Sequence, residues 1–135
     1  MTPEQKQALV DAARAVIDNA YAPYSNFDVG AAILDEQGRI HAGVNVENAV
    51  YPVGVCAERS AISVAVSAGA KELIGLALVT RTPEALCPCG MCRQALAEFN
   101  PNLPLLITTE NGPWEEHNLA EILPNQFNRS HLPNK

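Results

Sequence analysis

The sequence predicts an α/β fold, a three-layer α/β/α sandwich around a mixed sheet of about five strands. Three observations lead there. The chain opens on an amphipathic helix pattern, continues with a hairpin pattern, and then alternates helical with strand-like segments. Helices covering both faces of one sheet are the arrangement that buries such segments.

The first helix has a clear start. Thr2 can cap it, Pro3 suits its first turn, and Gln5 can reach back to the cap. Leu9, Ala13, Val16, Ile17 and Ala20 then recur as one apolar stripe, which residues 21–26 interrupt as a loop. Residues 27–34 and 39–47 read as two strands around the turn Asp35-Glu36-Gln37-Gly38. In the second strand Ile40, Ala42, Val44 and Val46 alternate with Arg39, His41, Asn45 and Glu47. Period two therefore sets Asn45 and Glu47 side by side on one face.

Residues 48–55, with Pro52 and Gly54, form a loop, and a helix is expected over 56–69. The continuously apolar run 73–80 reads as a central strand covered on both faces. A second helix should run from the cysteine-rich segment at 87–92 to Phe99. A strand at 105–109, a weak edge strand at 114–117 and a short helix at 119–123 complete the pattern. No repeat or linker divides it, so residues 1–135 are expected to form a single catalytic domain.

Composition narrows the function. With 47% hydrophobic residues in 135, the chain can bury a core without disulfides. The net charge of −6, with no run of Lys or Arg, argues against a nucleic acid polymer as substrate. No apolar run is long enough to span a bilayer, and residues 1–7 carry no secretory core. A cytoplasmic enzyme with no membrane partner is the expectation. Four clustered cysteines in a reducing compartment point to metal binding or catalysis rather than to disulfides.

Two segments carry the chemistry: Cys56-Ala57-Glu58-Arg59 and Pro88-Cys89-Gly90-Met91-Cys92. The two-residue gap between Cys89 and Cys92 lets both thiolates grip one zinc ion, with Cys56 as third ligand. Three protein ligands leave a tetrahedral position open, the catalytic rather than the structural arrangement. Both segments are expected to open helices, where backbone N–H groups and the helix dipole favour thiolates. Alone, a C-x-x-C pair is more often a structural zinc knuckle or a redox pair than a catalytic site. Glu58 alone fits a dipole-stabilising acid in a first turn. Together the segments are specific.

These residues resemble the cytidine deaminase family, in its small three-cysteine form. The resemblance covers most of the chain. It includes Ala22-Pro23-Tyr24-Ser25-Asn26-Phe27, Asn45-Val46-Glu47-Asn48, both cysteine segments through Arg93-Gln94, and Leu123-Pro124. The related polynucleotide deaminases carry a His where Cys56 stands. The resemblance implies one zinc per chain and hydrolysis of free cytidine or deoxycytidine to uridine or deoxyuridine plus ammonia, in pyrimidine salvage. Hydroxide must reach C4 of the pyrimidine, and zinc brings the pKa of bound water to roughly 7–9. Glu58, a carboxylate that does not ligate zinc, would shuttle the proton, a contribution of about 100- to 10,000-fold.

Further roles follow from the resemblance. Arg59 would hydrogen-bond the ligand sulfurs and offset their excess charge. Asn45 and Glu47 would bind the ribose 3′-OH, Phe27 would stack on the pyrimidine, and the Ala57 backbone would contact substrate. The chain would form a homotetramer in which Phe127 enters a neighbour's pocket; otherwise Phe127 anchors the tail to its own core. Small residues of the 56–69 helix, among them Ala57, Ala61 and Ala65, would allow close packing between protomers. Cys87 stands where the family often has Ser or Thr and reads as a spare thiol. His41, His117 and His131 lack ligand spacing and are expected at the surface. Two alternatives stand beside this reading: a deaminase of a related aminopyrimidine nucleoside such as blasticidin S, and a non-catalytic structural zinc module.

Overall fold

The computed structural model describes residues 1–133. Helix α1 (Pro3–Val16) starts as expected, with the Thr2 side chain accepting from the Gln5 N–H and the Gln5 side chain accepting from the Thr2 N–H. Strands β1 (Val29–Asp35) and β2 (Ile40–Val44) form the hairpin, closed by a turn in which Gly38 takes a φ of 78°. Helix α2 (Ala57–Ser67), β3 (Leu73–Thr80), α3 (Gly90–Ala97), β4 (Pro104–Thr109), β5 (Glu115–Asn118) and the single-turn α4 (Leu119–Ile122) follow.

The five strands order as β2-β1-β3-β4-β5, with only β3 and β4 parallel. This is the expected mixed sheet. Its central strands send alternate side chains to two cores. Ala31, Ile33, Leu76, Leu78, Leu105 and Ile107 pack with α2 and α3, through Ala57, Ala61, Ala65 and Leu96. Ala32, Leu34, Ala77, Val79 and Leu106 pack with Leu9, Val10, Ala13 and Ile17 at the first helix. Burying one fully covered Leu or Ile is worth about 1.5–3 kcal/mol, which explains the dominance of β1, β3 and β4. Helix α2 lies directly on β2 because residue 43 is glycine: a Cβ there would sit 2.5 Å from the Ala61 nitrogen.

Two expectations change. His41 is buried, not superficial; its Nε2 lies 2.8 Å from the Asp35 carboxylate. The hairpin turns back so tightly that Asp35 also accepts from the Arg39 and Gln37 N–H groups and the Arg39 guanidinium. A buried carboxylate with that many donors needs His41 beside it. His117 is half-buried beside Glu115, while His131 is exposed. The alanines of α2 face their own sheet; Ser63, Val64 and Ser67 face outward instead.

Candidate active site

Cys56 and Cys89 are the N-cap residues of α2 and α3, both with extended backbone and neither side chain capping its own helix. A cap cysteine whose sulfur is not spent on the helix can point away from it. The three sulfurs of Cys56, Cys89 and Cys92 all lie within 4.8 Å of one another. Tetrahedral zinc with bonds near 2.3 Å would set them about 3.8 Å apart, so the cluster needs to close by only about 1 Å. Cys92 is buried, Cys56 half-buried and Cys89 exposed.

Electrostatics supports the same fit. Burial pushes the Cys92 thiol up, and Glu58 and Cys56 beside it add to that. Burial also lifts the Glu58 carboxyl above its ordinary value, against its own N–H, the Cys92 thiol and Arg59. Three thiolates and a carboxylate cannot all be charged here without a cation, and a dication bound by sulfur supplies the balance. Arg59 contributes part of it. One guanidinium nitrogen donates to the Gly54 carbonyl at 3.3 Å and approaches Cys56 Sγ at 4.0 Å. Burial works against its charge, but the Cys56 and Cys92 sulfurs outweigh it. Its Nε is buried without a hydrogen-bond partner. The residues fit a single zinc ion.

Glu58, in the first turn of α2, is 4% exposed and lines a cavity shared with Cys56, Cys89, Ala57, Asn45 and Phe27. Ala57 opens the helix, so its N–H has no intrahelical acceptor. Phe27, 42% exposed, belongs to the cavity rim and not to the core. Asn45 is buried; its Oδ1 accepts from the Val29 N–H at 2.9 Å and its Nδ2 donates to the Phe27 carbonyl at 2.6 Å. One amide hydrogen remains for a ligand.

Glu47 departs from expectation. Strand β2 ends at Val44; the Asn45 N–H still donates to the Val29 carbonyl of β1, and Val46 and Glu47 then take new partners, Tyr21 on one side and Val55 on the other. Asn45 and Glu47 thus flank a Val46 that is bridged on both sides, beyond the end of β2. The Glu47 carboxylate accepts from the Tyr24 and Ser25 N–H groups and from the Ser25 hydroxyl, and these hold it below the usual range, the hydroxyl foremost. It lines a separate cavity with Tyr24, Ser25, Asn48, Tyr51 and Gly54. Ser25 Oγ in turn accepts from the Phe27 N–H, so Glu47 braces the loop that presents Phe27.

Phe127 lies outside the Glu58 cavity. It is 60% exposed and stacks on His131, so it does not anchor the tail to its own core. Cys87 lines the Glu58 cavity but stands outside the sulfur cluster. Val29, Leu78, Thr80 and Leu86, which have no role in the sequence reading, also line the cavity. A signal existed for Thr80: it is the polar residue ending an otherwise apolar strand, on the face shared with Leu76 and Leu78.

An open three-thiolate site beside a buried carboxylate, at two helix N-termini over a mixed sheet, defines a zinc-binding catalytic domain. The sequence model of the cytidine and deoxycytidylate deaminase zinc-binding region matches residues 3–105. The chain belongs to that family. A cytidine deaminase of Sporosarcina psychrophila is 42% identical over 127 residues, 93% of each chain. The crystal structure of cytidine deaminase from Burkholderia pseudomallei superposes with a TM-score of 0.86 at 40% identity, covering 94% of this chain and all of that one. A blasticidin-S deaminase of Bacillus cereus is 32% identical over 135 residues, 94% of this chain and 95% of that protein.

Proposed function

We propose that the protein is a zinc-dependent cytidine deaminase that hydrolyses free cytidine and deoxycytidine. The observation that carries this is the buried Glu58 carboxyl in one cavity with the Cys56 and Cys89 sulfurs. The relatives named cytidine deaminase and the three-sulfur cluster support it over a structural zinc module, which would want a fourth ligand.

When bound, zinc supplies the Lewis acidity that makes water a nucleophile near neutral pH. Glu58 would take one proton from the attacking water and give it to pyrimidine N3, then take the second from the new C4 hydroxyl and give it to the amine as the C4–N bond breaks. Its raised pKa suits both halves of the task, since a group that must give a proton back cannot be too strong an acid. Arg59 offsets the net negative charge that three thiolates leave on a dication. Phe27 stacks on the pyrimidine, the Ala57 N–H meets the ring's polar edge, and the remaining Asn45 amide hydrogen meets a ribose hydroxyl. Glu47 presents the Phe27 loop and uses its last lone pair for the sugar.

Among the described residues the cavity lining contains no Lys or Arg, which favours a nucleoside over a phosphorylated substrate. Among the described residues no helix is long and apolar enough to cross a membrane. Free clustered thiols suit the reducing cytoplasm, where the enzyme would salvage pyrimidine nucleosides as one catalytic domain. Exposed Val50, Tyr51, Val53, Val64 and Phe127 support assembly, read here as a homotetramer with Phe127 reaching a neighbour's site. The test is a product assay on cytidine, deoxycytidine, deoxycytidylate and blasticidin S. Uridine and ammonia formed in equal amounts from cytidine support the reading; selective turnover of blasticidin S or deoxycytidylate refutes it.

A further inference from the structure

Two neighbours of the ligand cysteines hold the end of the chain. Arg93 follows Cys92 on α3. Its Nε donates to the Pro88 carbonyl at 2.7 Å and its Nη1 to the Ile122 carbonyl at 2.6 Å. Pro88 is buried and immediately precedes Cys89. One planar, permanently charged fork thus joins the ligand loop to the last residue of α4. Gln94 adds a second tether, its Nε2 donating to the Phe127 carbonyl at 2.8 Å. Between these tethers Ile122 and Leu123 pack against the core, and Asn125 turns the chain with a φ of 54°.

The three ligands are not held equally. Cys92 is buried within α3, and Cys56 is followed by a helix packed on the sheet. Cys89 is exposed, and Pro88 before it belongs to no strand, whereas Val55 before Cys56 is bridged to Val46. Its position depends on the backbone at Pro88, which Arg93 fixes. The proton chemistry above uses neither Arg93 nor Gln94.

We propose that Arg93 is a positioning residue coupling zinc retention to the docking of segment 122–127 on α3. Releasing the tail frees the guanidinium and loosens Cys89; losing zinc frees the loop and loosens the tail. Such coupling is reciprocal by thermodynamic necessity. It rests on the zinc site and not on the substrate, and it is read without cytidine, so its failure is distinct from failure of the deaminase reading.

The test has two arms on the full-length chain. In the first, zinc-loaded wild type, Arg93→Ala and Arg93→Lys are mixed with a chromogenic chelator and zinc release is timed. Release from Arg93→Ala should be on the order of ten- to a hundredfold faster, the usual effect of losing a group that orients a ligand. Arg93→Lys should fall between, because an ammonium lacks the fixed fork that spans two carbonyls. The second arm needs no variant. Trypsin cleavage of wild type after Arg129, which lies in the exposed tail, should accelerate about tenfold on zinc removal, the reciprocal of the coupling above, ahead of cleavage after Arg14 or Arg39. Release from both variants at the wild-type rate would overturn the proposal. So would cleavage after Arg129 that zinc removal leaves unchanged, or that comes no earlier than cleavage after Arg14 and Arg39.

Discussion

The zinc end of the cavity and the loop that closes it opposite are built on different rules. At the zinc end, Cys56, Glu58, Cys89 and Cys92 sit in the first turns of two helices packed on a sheet, so residue spacing translates directly into geometry. Around Phe27, Asn45 and Glu47, position is set by hydrogen bonds between segments some twenty residues apart. Side chains there serve the loop before they serve a ligand. The lesson is that the first region tolerates little change in chemistry, whereas the second tolerates little change in shape.

The sharpest test of that contrast compares neighbouring thiols. Cys89→Ala should lose nearly all zinc, and Cys87→Ala should keep a full equivalent, because Cys87 stands outside the sulfur cluster. Metal analysis decides it; zinc retained in the first and lost in the second would reverse the ligand assignment.

A smaller but still large effect belongs to the hairpin under α2. Burial opposes ionisation of Asp35, but His41, the Arg39 and Gln37 N–H groups and the Arg39 guanidinium outweigh it and hold its carboxyl far below the usual range. Stability from this depressed carboxylate is fully present above its unfolded value near pH 4 and is lost as pH falls further. Asp35→Ala should cost about 3 kcal/mol at neutral pH, since His41 and Arg39 lose their partner. Thermal unfolding should also show a shallower loss of stability on acidification in that variant. An equally steep acid slope would show that other carboxylates set it.

Asn45 and Glu47 separate shape from chemistry within the closing loop. Asn45→Ala strands the Val29 N–H and the Phe27 carbonyl, costing about 1–3 kcal/mol of stability as well as substrate affinity. Glu47→Gln keeps the fold but should lower kcat/KM for cytidine on the order of tenfold, with little effect on free cytosine. Equal losses on both substrates would place Glu47 on the ring side through Phe27, and not at the sugar. The smallest effect is expected for Phe127→Ala: a severalfold rise in KM with unchanged zinc, checked by kinetics alongside light scattering. A fully active monomer would rule out a shared site.

The same contrast explains what the sequence could tell. The apolar run at 73–80, the alternation of Ile40, Ala42 and Val44 and the capping pattern at Thr2 are local, and the sandwich follows from them. Cys56, Cys89, Cys92 and Glu58 were legible because helix starts fix where first-turn side chains go. Residues 46 and 47 read as more of β2, since periodicity cannot register that their backbone partners change to Tyr21 and Val55. His41 looked like a surface residue because its buried partner, Asp35, had been read only as part of the turn. Arg93 and Gln94 directly follow the Cys89–Cys92 motif, yet their work depends on carbonyls 29 and 33 residues away.

The central claim is that Glu58 moves the proton at a three-thiolate zinc site. Uridine formation from cytidine, measured on wild type and Glu58→Gln at matched zinc content, tests it most directly. Glu58→Gln should keep its fold and its zinc and lose about 100- to 10,000-fold in turnover, because an amide cannot accept and return the proton. Turnover near the wild-type rate with zinc in place would contradict the account.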